Sequence, residues 1–150
     1  MEIPESGYRF TVPHPWVTFG EETRSPSGSI FTIEIKSLVD ADPTFLAELP
    51  DSILPQIEAR TRYYFTVVEP MVRSDAAIDG RKAALVVYPV RVRPEDAQQE
   101  VRYWIVLEGD ALFLLRATLT PPQIDSDRAD AQKMIESFRF VQPPAPPAGG

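Results

Sequence analysis

The chain has 150 residues, a formal net charge of −7, no cysteine and a single histidine, His14. This length predicts one domain, and the lack of cysteine excludes disulfides, thiolate-ligated zinc and a thiol nucleophile. The acidic balance argues against nucleic-acid binding, which depends on Lys and Arg side chains that neutralise phosphates. With one histidine there is no site with several intrachain histidine ligands. We predict neither a metal nor a cofactor.

The two ends of the chain predict neither a membrane span nor a folded tail. Residues 1–5 are acidic, contain Pro4 and lack the basic and apolar regions of a signal peptide. No window approaches the roughly 18 consecutive apolar residues of a membrane span, so we expect no membrane insertion. We expect a cytoplasmic protein as the sequence stands, or an exported one if a leader has been removed. Residues 142–150 are predicted to be a disordered Pro/Ala/Gly tail, which leaves residues 1–141 as a single domain.

Alternation of apolar and polar residues predicts two strands in the first part of the chain. Residues 8–12 alternate in this way until the Pro-His-Pro at 13–15, and residues 31–36 alternate again. Asp42-Pro43 then places a capping residue before a proline, the order favoured at the start of a helix. Prolines interrupt the apolar stripe that follows, so the prediction is a kinked or split helix over about 43–61.

The second half of the chain predicts an antiparallel meander and a closing helix. Strands are predicted at 64–74, 81–92, 101–107 and 111–119, with Pro70 at a bulge or an edge position of the first. The last strand is apolar on both faces, which is typical of a sheet covered on both sides. A helix capped near Asp125 or Ser126 is predicted over about 124–138. The order β β α β β β β α predicts an α+β fold, in which helices cover an antiparallel sheet of about six strands.

Three short motifs in the chain are similar to those of a known family. Residues 8–16 (YRFTVPHPW) match the pattern aromatic-x-Phe-x-x-Pro-x-x-Trp, residues 78–83 (IDGRKA) contain Gly-x-x-Ala, and residues 135–138 (IESF) match Ile-x-Ser-Phe. Together they resemble the PsbP-like superfamily, which includes PsbP, the yeast Ran-binding Mog protein and bacterial DcrB-like proteins. The resemblance spans residues 8–140 and implies an α/β/α sandwich. It also implies a non-catalytic protein-binding domain that acts as an adaptor, an accessory subunit or a secretion-type chaperone.

His14 is the one candidate for histidine-based acid–base chemistry. A general base needs an orienting carboxylate and a nearby nucleophile, and the sequence suggests neither. Asp125, Asp127 and Asp130 begin like a calcium-binding loop but lack its later Gly and Glu, and acids in the first turn of a helix stabilise that helix. We therefore predict no catalytic residue, no metal site and no enzyme. The alternatives are an envelope or thylakoid-lumen domain, exported or lipid-anchored, whose leader has been removed, and a hydrolase that uses His14.

Basic residues concentrate on three successive later strands and suggest a partner-binding surface. Trp104 lies two residues from Arg102 and therefore shares its face of the sheet. A two-residue turn at Gly109-Asp110 pairs Arg102 with Ala117 and is favoured, because a three-residue turn would place two arginines directly opposite each other. The competing explanation is that these arginines pair with local acids such as Glu95 and Glu100. The sequence does not determine which face of the sheet is exposed. The candidate residues for contact with another protein are Arg91, Arg93, Arg102, Trp104 and Arg116.

Overall fold

The computed structural model describes residues 7–141, which contain ten strands and three α-helices. The helices are α1 (Pro43–Ala47), α2 (Leu54–Tyr64) and α3 (Ile124–Ser137), and a 3-10 turn (Asp51–Ile53) leads into α2. The strands are β1 (Tyr8–Arg9), β2 (Val17–Phe19), β3 (Glu22–Arg24), β4 (Ile30–Ser37), β5 (Thr66–Val67), β6 (Val72–Ile78), β7 (Arg81–Arg91), β8 (Gln99–Glu108), β9 (Ala111–Leu119) and β10 (Arg139–Phe140). The tail predicted at 142–150 lies outside the described residues.

Eight of these strands form one antiparallel sheet. Its order is β2-β3-β4-β9-β8-β7, and the outer edge of β7 is shared by β5 and β6. The remaining strands, β1 and β10, pair with each other in a small sheet that joins the two ends of the described chain. The predicted α+β fold with a central antiparallel sheet is confirmed. The sheet has eight strands and not about six, because residues 17–24 form the hairpin of β2 and β3 and the strand predicted at 64–74 is two separate strands.

Several predicted boundaries were wrong for local reasons. The first strand covers only 8–9 of the predicted 8–12, and the segment at 68–71, which contains Pro70, separates β5 from β6. The helix predicted over 43–61 as kinked or split is split and runs on to Tyr64, and the predicted cap Asp42 accepts the backbone N–H groups of Thr44 and Phe45 at 2.8 and 3.3 Å. The closing helix covers 124–137 of the predicted 124–138, but its capping position is Gln123, two to three residues before the predicted Asp125 or Ser126.

The core consists of two layers, one on each face of the sheet. Successive side chains of a strand point to opposite faces, and the central strands are apolar on both, so each face needs its own cover. On one face, α3 packs over an aromatic-rich layer that includes Trp104, Phe113 and Phe138. On the other face, α2 packs over a second layer that includes Tyr88 and Tyr103. The result is the predicted sandwich of helices around the sheet.

Candidate partner-binding groove

The hairpin between β8 and β9 has the two-residue turn that the sequence favours. Glu108 pairs with Ala111, and Arg102 pairs with Ala117. Arg116 therefore pairs with Tyr103 and lies on the opposite face of the sheet from Arg102. The two arginines cannot contribute to one surface.

Arg102 and Trp104 share the face that α3 covers, as their spacing predicts, but Trp104 is only 2% exposed and belongs to the core. The Arg102 guanidinium lies 5.7 Å from the centre of the Trp104 ring and donates to Glu100 at 3.0 Å. Glu100 also accepts hydrogen bonds from Arg128 on α3 at 2.9 and 3.0 Å. This arrangement agrees with the competing explanation, in which the arginines pair with local acids.

The other two predicted arginines lie at and beyond the end of β7. Arg91 donates to the carbonyl oxygen of Pro94 at 3.4 Å, and Arg93 is exposed with its Nε 3.7 Å from Asp96. The structure does not gather the five predicted residues into one surface. Contact of these residues with a partner stays a prediction, but Arg116 alone among them lies in a sizeable groove.

That groove, called here the β4 groove, has a volume of about 840 Å³ and runs along the outer part of the sheet beside α2. It exists because α2 covers the central strands, whereas no helix of residues 7–141 lies over the same face of β2, β3 and β4, which exposes Val17 and Phe19. Its lining includes polar, charged and aromatic side chains from β3, β4, β9 and α2: Glu22, Thr32, Glu34, Arg60, Tyr64 and Arg116.

One border of the groove is an open strand edge. The short strand β3 pairs with β4 only over residues 30–32. Within residues 7–141, no strand pairs with the outer edge of β4 at residues 33–37, although β9 pairs with the inner edge along its whole length. Backbone N–H and C=O groups along such an edge are able to pair with another chain.

The basic side chains near the groove are concentrated around Glu34, although the lining as a whole contains three carboxylates and two arginines. Arg60 donates to both carboxylate oxygens of Glu34, at 2.8 and 3.2 Å. This hydrogen bonding is the main cause that lowers the pKa of Glu34, and the charges of Arg60, Lys36 and Arg116 add to it. Glu34 in turn raises the pKa of Arg60. Within the described residues, the side chains of Lys36 and Arg116 form no hydrogen bond or ion pair, and their charges act on Glu34 together with that of Arg60.

The sequence pattern identified only part of this groove. Alternation along β4 puts residues 32, 34 and 36 on one polar face, and that signal was present in the sequence. The approach of Arg60 depends on where α2 lies across the sheet, which a local pattern does not specify. The sequence also does not reveal that β3 ends before β4 does.

His14 lies outside the β4 groove, beside a smaller concavity of about 290 Å³. The residues that line it are Val12, His14, Trp16, Val17 and Thr18, and none of them is a carboxylate that could orient the imidazole. Among residues 7–141, no group of three or more His, Cys, Asp or Glu side chains is placed to hold a metal ion. No helix in the described part of the chain is both long and apolar enough to cross a membrane.

The three acids near the start of α3 have separate partners. Asp125 pairs with Arg128 at 2.8 Å, and Asp130 accepts the indole N–H of Trp16 at 3.0 Å. Asp127 is buried, and one of its oxygens accepts hydrogen bonds from three hydroxyl groups. These belong to Ser25, Ser27 and Ser29, at 3.0, 2.5 and 2.6 Å. The sequence did not predict this cluster, which ties the turn between β3 and β4 to α3.

Comparison with known proteins identifies the fold. No protein-family model matches the chain, and no curated protein matches it. The solution structure of the cyanobacterial PsbP (CyanoP) of Synechocystis sp. PCC 6803 is similar, with a TM-score of 0.62 and 14% identity over 94% of this chain and 91% of that protein.

A crystal structure from Bacteroides thetaiotaomicron VPI-5482 is similar over 95% of this chain, with a TM-score of 0.59 and 13% identity. This chain spans about half of that protein, 48% of its length. At such identities the similarity concerns the fold alone, and it agrees with the motifs at residues 8–16, 78–83 and 135–138. The chain therefore has the PsbP-like fold.

Proposed function

We propose that this chain is a non-catalytic protein-binding domain, an adaptor, accessory subunit or secretion-type chaperone, which holds a segment of another protein in the β4 groove. The observation that carries the proposal is the edge of β4, which no strand of residues 7–141 pairs with at 33–37, beside the face of β2, β3 and β4 that no helix of the same residues covers. A long, unpaired strand edge is a liability for aggregation unless something covers it. A partner segment seated in the groove would cover the edge and the exposed side chains beside it.

The chemistry of the groove supports binding over catalysis. The titratable side chains that line it are carboxylates, arginines and two tyrosines, and Glu34 is already engaged by Arg60. A carboxylate with a lowered pKa is a poor general base near neutral pH, because an effective base has a pKa close to the working pH. Tyr64, which is exposed, and Arg116, which is half-buried, are, in contrast, residue types enriched at protein interfaces.

Affinity capture from the native host with matched variants tests the proposal. The groove variant combines Tyr64→Ala with Arg116→Gln, which removes one exposed aromatic side chain and one cation from the groove. The control variant combines Val72→Ala with Lys82→Gln, which removes one exposed apolar side chain and one cation near the opposite edge of the sheet. Both variants are first checked for unchanged thermal unfolding.

We expect one protein to be captured in stoichiometric amount by the wild type and by the control variant, and to be lost with the groove variant. Equal capture by both variants would place the interface elsewhere and overturn the role of the groove. Failure of the wild type to capture any protein stoichiometrically would overturn the binding function itself.

A further inference from the structure

We propose that the segment bound in the β4 groove is an extended peptide that adds as a strand to the open edge of β4 and alternates apolar with acidic side chains. This inference rests on the proposed function and specifies the chemistry of the partner. It follows from three features of the edge: a backbone left unpaired within residues 7–141, the apolar side chains on one face, and the basic side chains around Glu34 on the other.

The backbone of β4 offers the first part of the site. Residues 33–37 continue the strand for five positions beyond the last residue that β3 covers. Along a strand, successive residues direct their N–H and C=O groups to opposite edges, so alternate residues of this stretch present them outward. An added strand would satisfy these groups by the mode of recognition in which a peptide extends an existing sheet. Main-chain pairing of this kind requires an extended partner but does not select its sequence.

One face of the added strand would meet apolar side chains. Ile33 and Ile35 point to the α3 face of the sheet, where Ile35 remains 44% exposed at the edge. Tyr8, which packs against the same layer, also lines the groove. A residue directly opposite on a neighbouring strand has its Cβ atom about 5 Å away, close enough to cover either isoleucine. Apolar side chains are therefore expected at every second position of the bound segment.

The other face of the added strand would meet charge. Glu34 and Lys36 point to the α2 face, where Arg60 already engages Glu34 and where Arg116 approaches from β9. A carboxylate from the partner would lie among the basic side chains around Glu34 and accept hydrogen bonds from Arg116. Glu21 and Glu22 also line the groove, but Glu22 is engaged by Arg24 at the end where β3 already covers the edge. Lys36 lies on the stretch that has no second paired strand within residues 7–141, and Arg116 is in register with Thr32, the last residue of β4 that β3 covers.

These two faces together define a sequence preference. Because the side chains of a strand alternate, the segment is expected to read apolar–acidic–apolar along at least five residues. A segment that alternates apolar and basic residues would place like charges beside Lys36 and Arg116. Such juxtaposition is the repulsive element that gives a binding site its specificity.

Synthetic peptides with the full chain test the inference. The probe is a capped, fluorescently labelled seven-residue peptide of alternating valine and glutamate, and its affinity is measured by fluorescence anisotropy. The comparison peptides replace glutamate with lysine, or keep the composition and group the valines at one end. Two further peptides carry backbone N-methyl groups, one at every valine and the other at every glutamate, so that each blocks a different set of N–H groups.

We expect the alternating glutamate peptide to bind and the lysine and grouped peptides to bind at least about tenfold more weakly. Only one set of N–H groups faces β4 in an added strand. One N-methylated peptide should therefore lose at least about tenfold in affinity, while the other stays within about threefold. Equal effects of the two N-methylated peptides would overturn addition to the strand edge. Equal binding of glutamate and lysine peptides would overturn the acidic preference.

Variants of the protein test where the glutamate side chains of the peptide bind. Arg116→Gln and Lys36→Gln should each lower the affinity for the glutamate peptide by about three- to tenfold. Added salt should reduce the difference in affinity between the wild type and each variant. Lys82→Gln removes the same charge from an exposed position on β7 and should leave affinity unchanged. Equal losses in all three variants would mean that only net charge matters and would overturn the site. If the captured host protein depends on the groove but no alternating peptide binds, this inference fails while the proposed function stands.

Discussion

Arg60 on α2 and Glu34 on β4 are joined by two hydrogen bonds, from Nη1 to Oε2 at 2.8 Å and from Nη2 to Oε1 at 3.2 Å. The pair links the helix of one layer to the partly open edge strand of the sheet. It lowers the pKa of Glu34 from its ordinary value of 4.5, so folding favours the charged carboxylate. The resulting stabilisation is present above the ordinary pKa and is lost as the pH falls through the lowered one.

Glu34→Gln is expected to lower the free energy of unfolding at pH 7 and to have less effect at pH 3, where acid weakens the wild-type pair as well. The loss at pH 7 should not exceed about 1 kcal/mol, because ion pairs with this degree of exposure are screened by water. Urea unfolding at the two pH values measures the difference. Glu48→Gln is the control, since that exposed acid has no ion pair within the described residues. An equally large loss of unfolding free energy in Glu34→Gln at both pH values would contradict the lowered pKa of Glu34.

Two buried tyrosines of the α2 layer differ in one hydrogen bond, and this difference sets opposite expectations for their phenylalanine variants. The hydroxyl of Tyr103 lies 3.0 Å from that of Thr61, whereas the hydroxyl of Tyr88 is buried without a partner in the described chain. Tyr103→Phe should lower the free energy of unfolding by about 1 kcal/mol, while Tyr88→Phe should be neutral or stabilising, because it removes an unsatisfied polar group. Denaturant unfolding of both variants measures the contrast. Equal losses would show that the Tyr88 hydroxyl has a partner.

The same burial predicts how Tyr88 responds to alkali. Burial raises the pKa of Tyr88 from 10.0 to about 12. Because the folded state holds the proton more tightly, the associated stability is present below pH 10 and is lost as the pH rises towards 12. Relative to the wild type, Tyr88→Phe should therefore gain stability over that interval, as measured by urea unfolding at pH 9 and pH 11. If the stability of Tyr88→Phe relative to the wild type is the same at pH 9 and pH 11, the raised pKa of Tyr88 is contradicted.

Features set by nearby residues could be predicted from the sequence, and features set by distant ones could not. The register of the β8–β9 hairpin follows from its two-residue turn at Gly109-Asp110, and the cap at Asp42 follows from the proline after it. The open edge of β4 depends on how far β3 extends alongside it. The burial of Trp104 depends on which face α3 covers, and the alternation of its strand is the same whether that face is covered or not.

The cluster around Asp127 shows the same limit at a single residue. An acid in the first turn of a helix is explained by the helix dipole, and nothing local indicates that three serines about a hundred residues earlier in the chain will converge on it. Their spacing places residues 25, 27 and 29 around the turn before β4. Asp127 becomes the centre of a buried hydrogen-bond network only because α3 packs against that turn.

Asp127→Ala is expected to destabilise the protein by about 2–4 kcal/mol, because it leaves buried hydroxyl groups without their charged acceptor. Asp125→Ala removes the same side chain from the same helical turn, but at an exposed position paired only with Arg128. It should cost no more than about 0.5 kcal/mol. Thermal and urea unfolding of the two variants measure the difference. Similar losses would mean that both acids act through the helix terminus and that the serine cluster contributes nothing.

Trp104→Ala is expected to cost about 3–5 kcal/mol in free energy of unfolding, because it opens a cavity in the layer beneath α3. Phe19→Ala also deletes an aromatic ring, but from a side chain that is 63% exposed, and should change stability by less than about 0.5 kcal/mol. Urea unfolding compares the two, and a small loss for Trp104→Ala would contradict its burial. A loss of partner binding in Trp104→Ala would therefore report unfolding as readily as contact. Trp104→Phe keeps most of the buried ring, so a binding defect in that variant at unchanged stability would be needed to assign Trp104 to an interface.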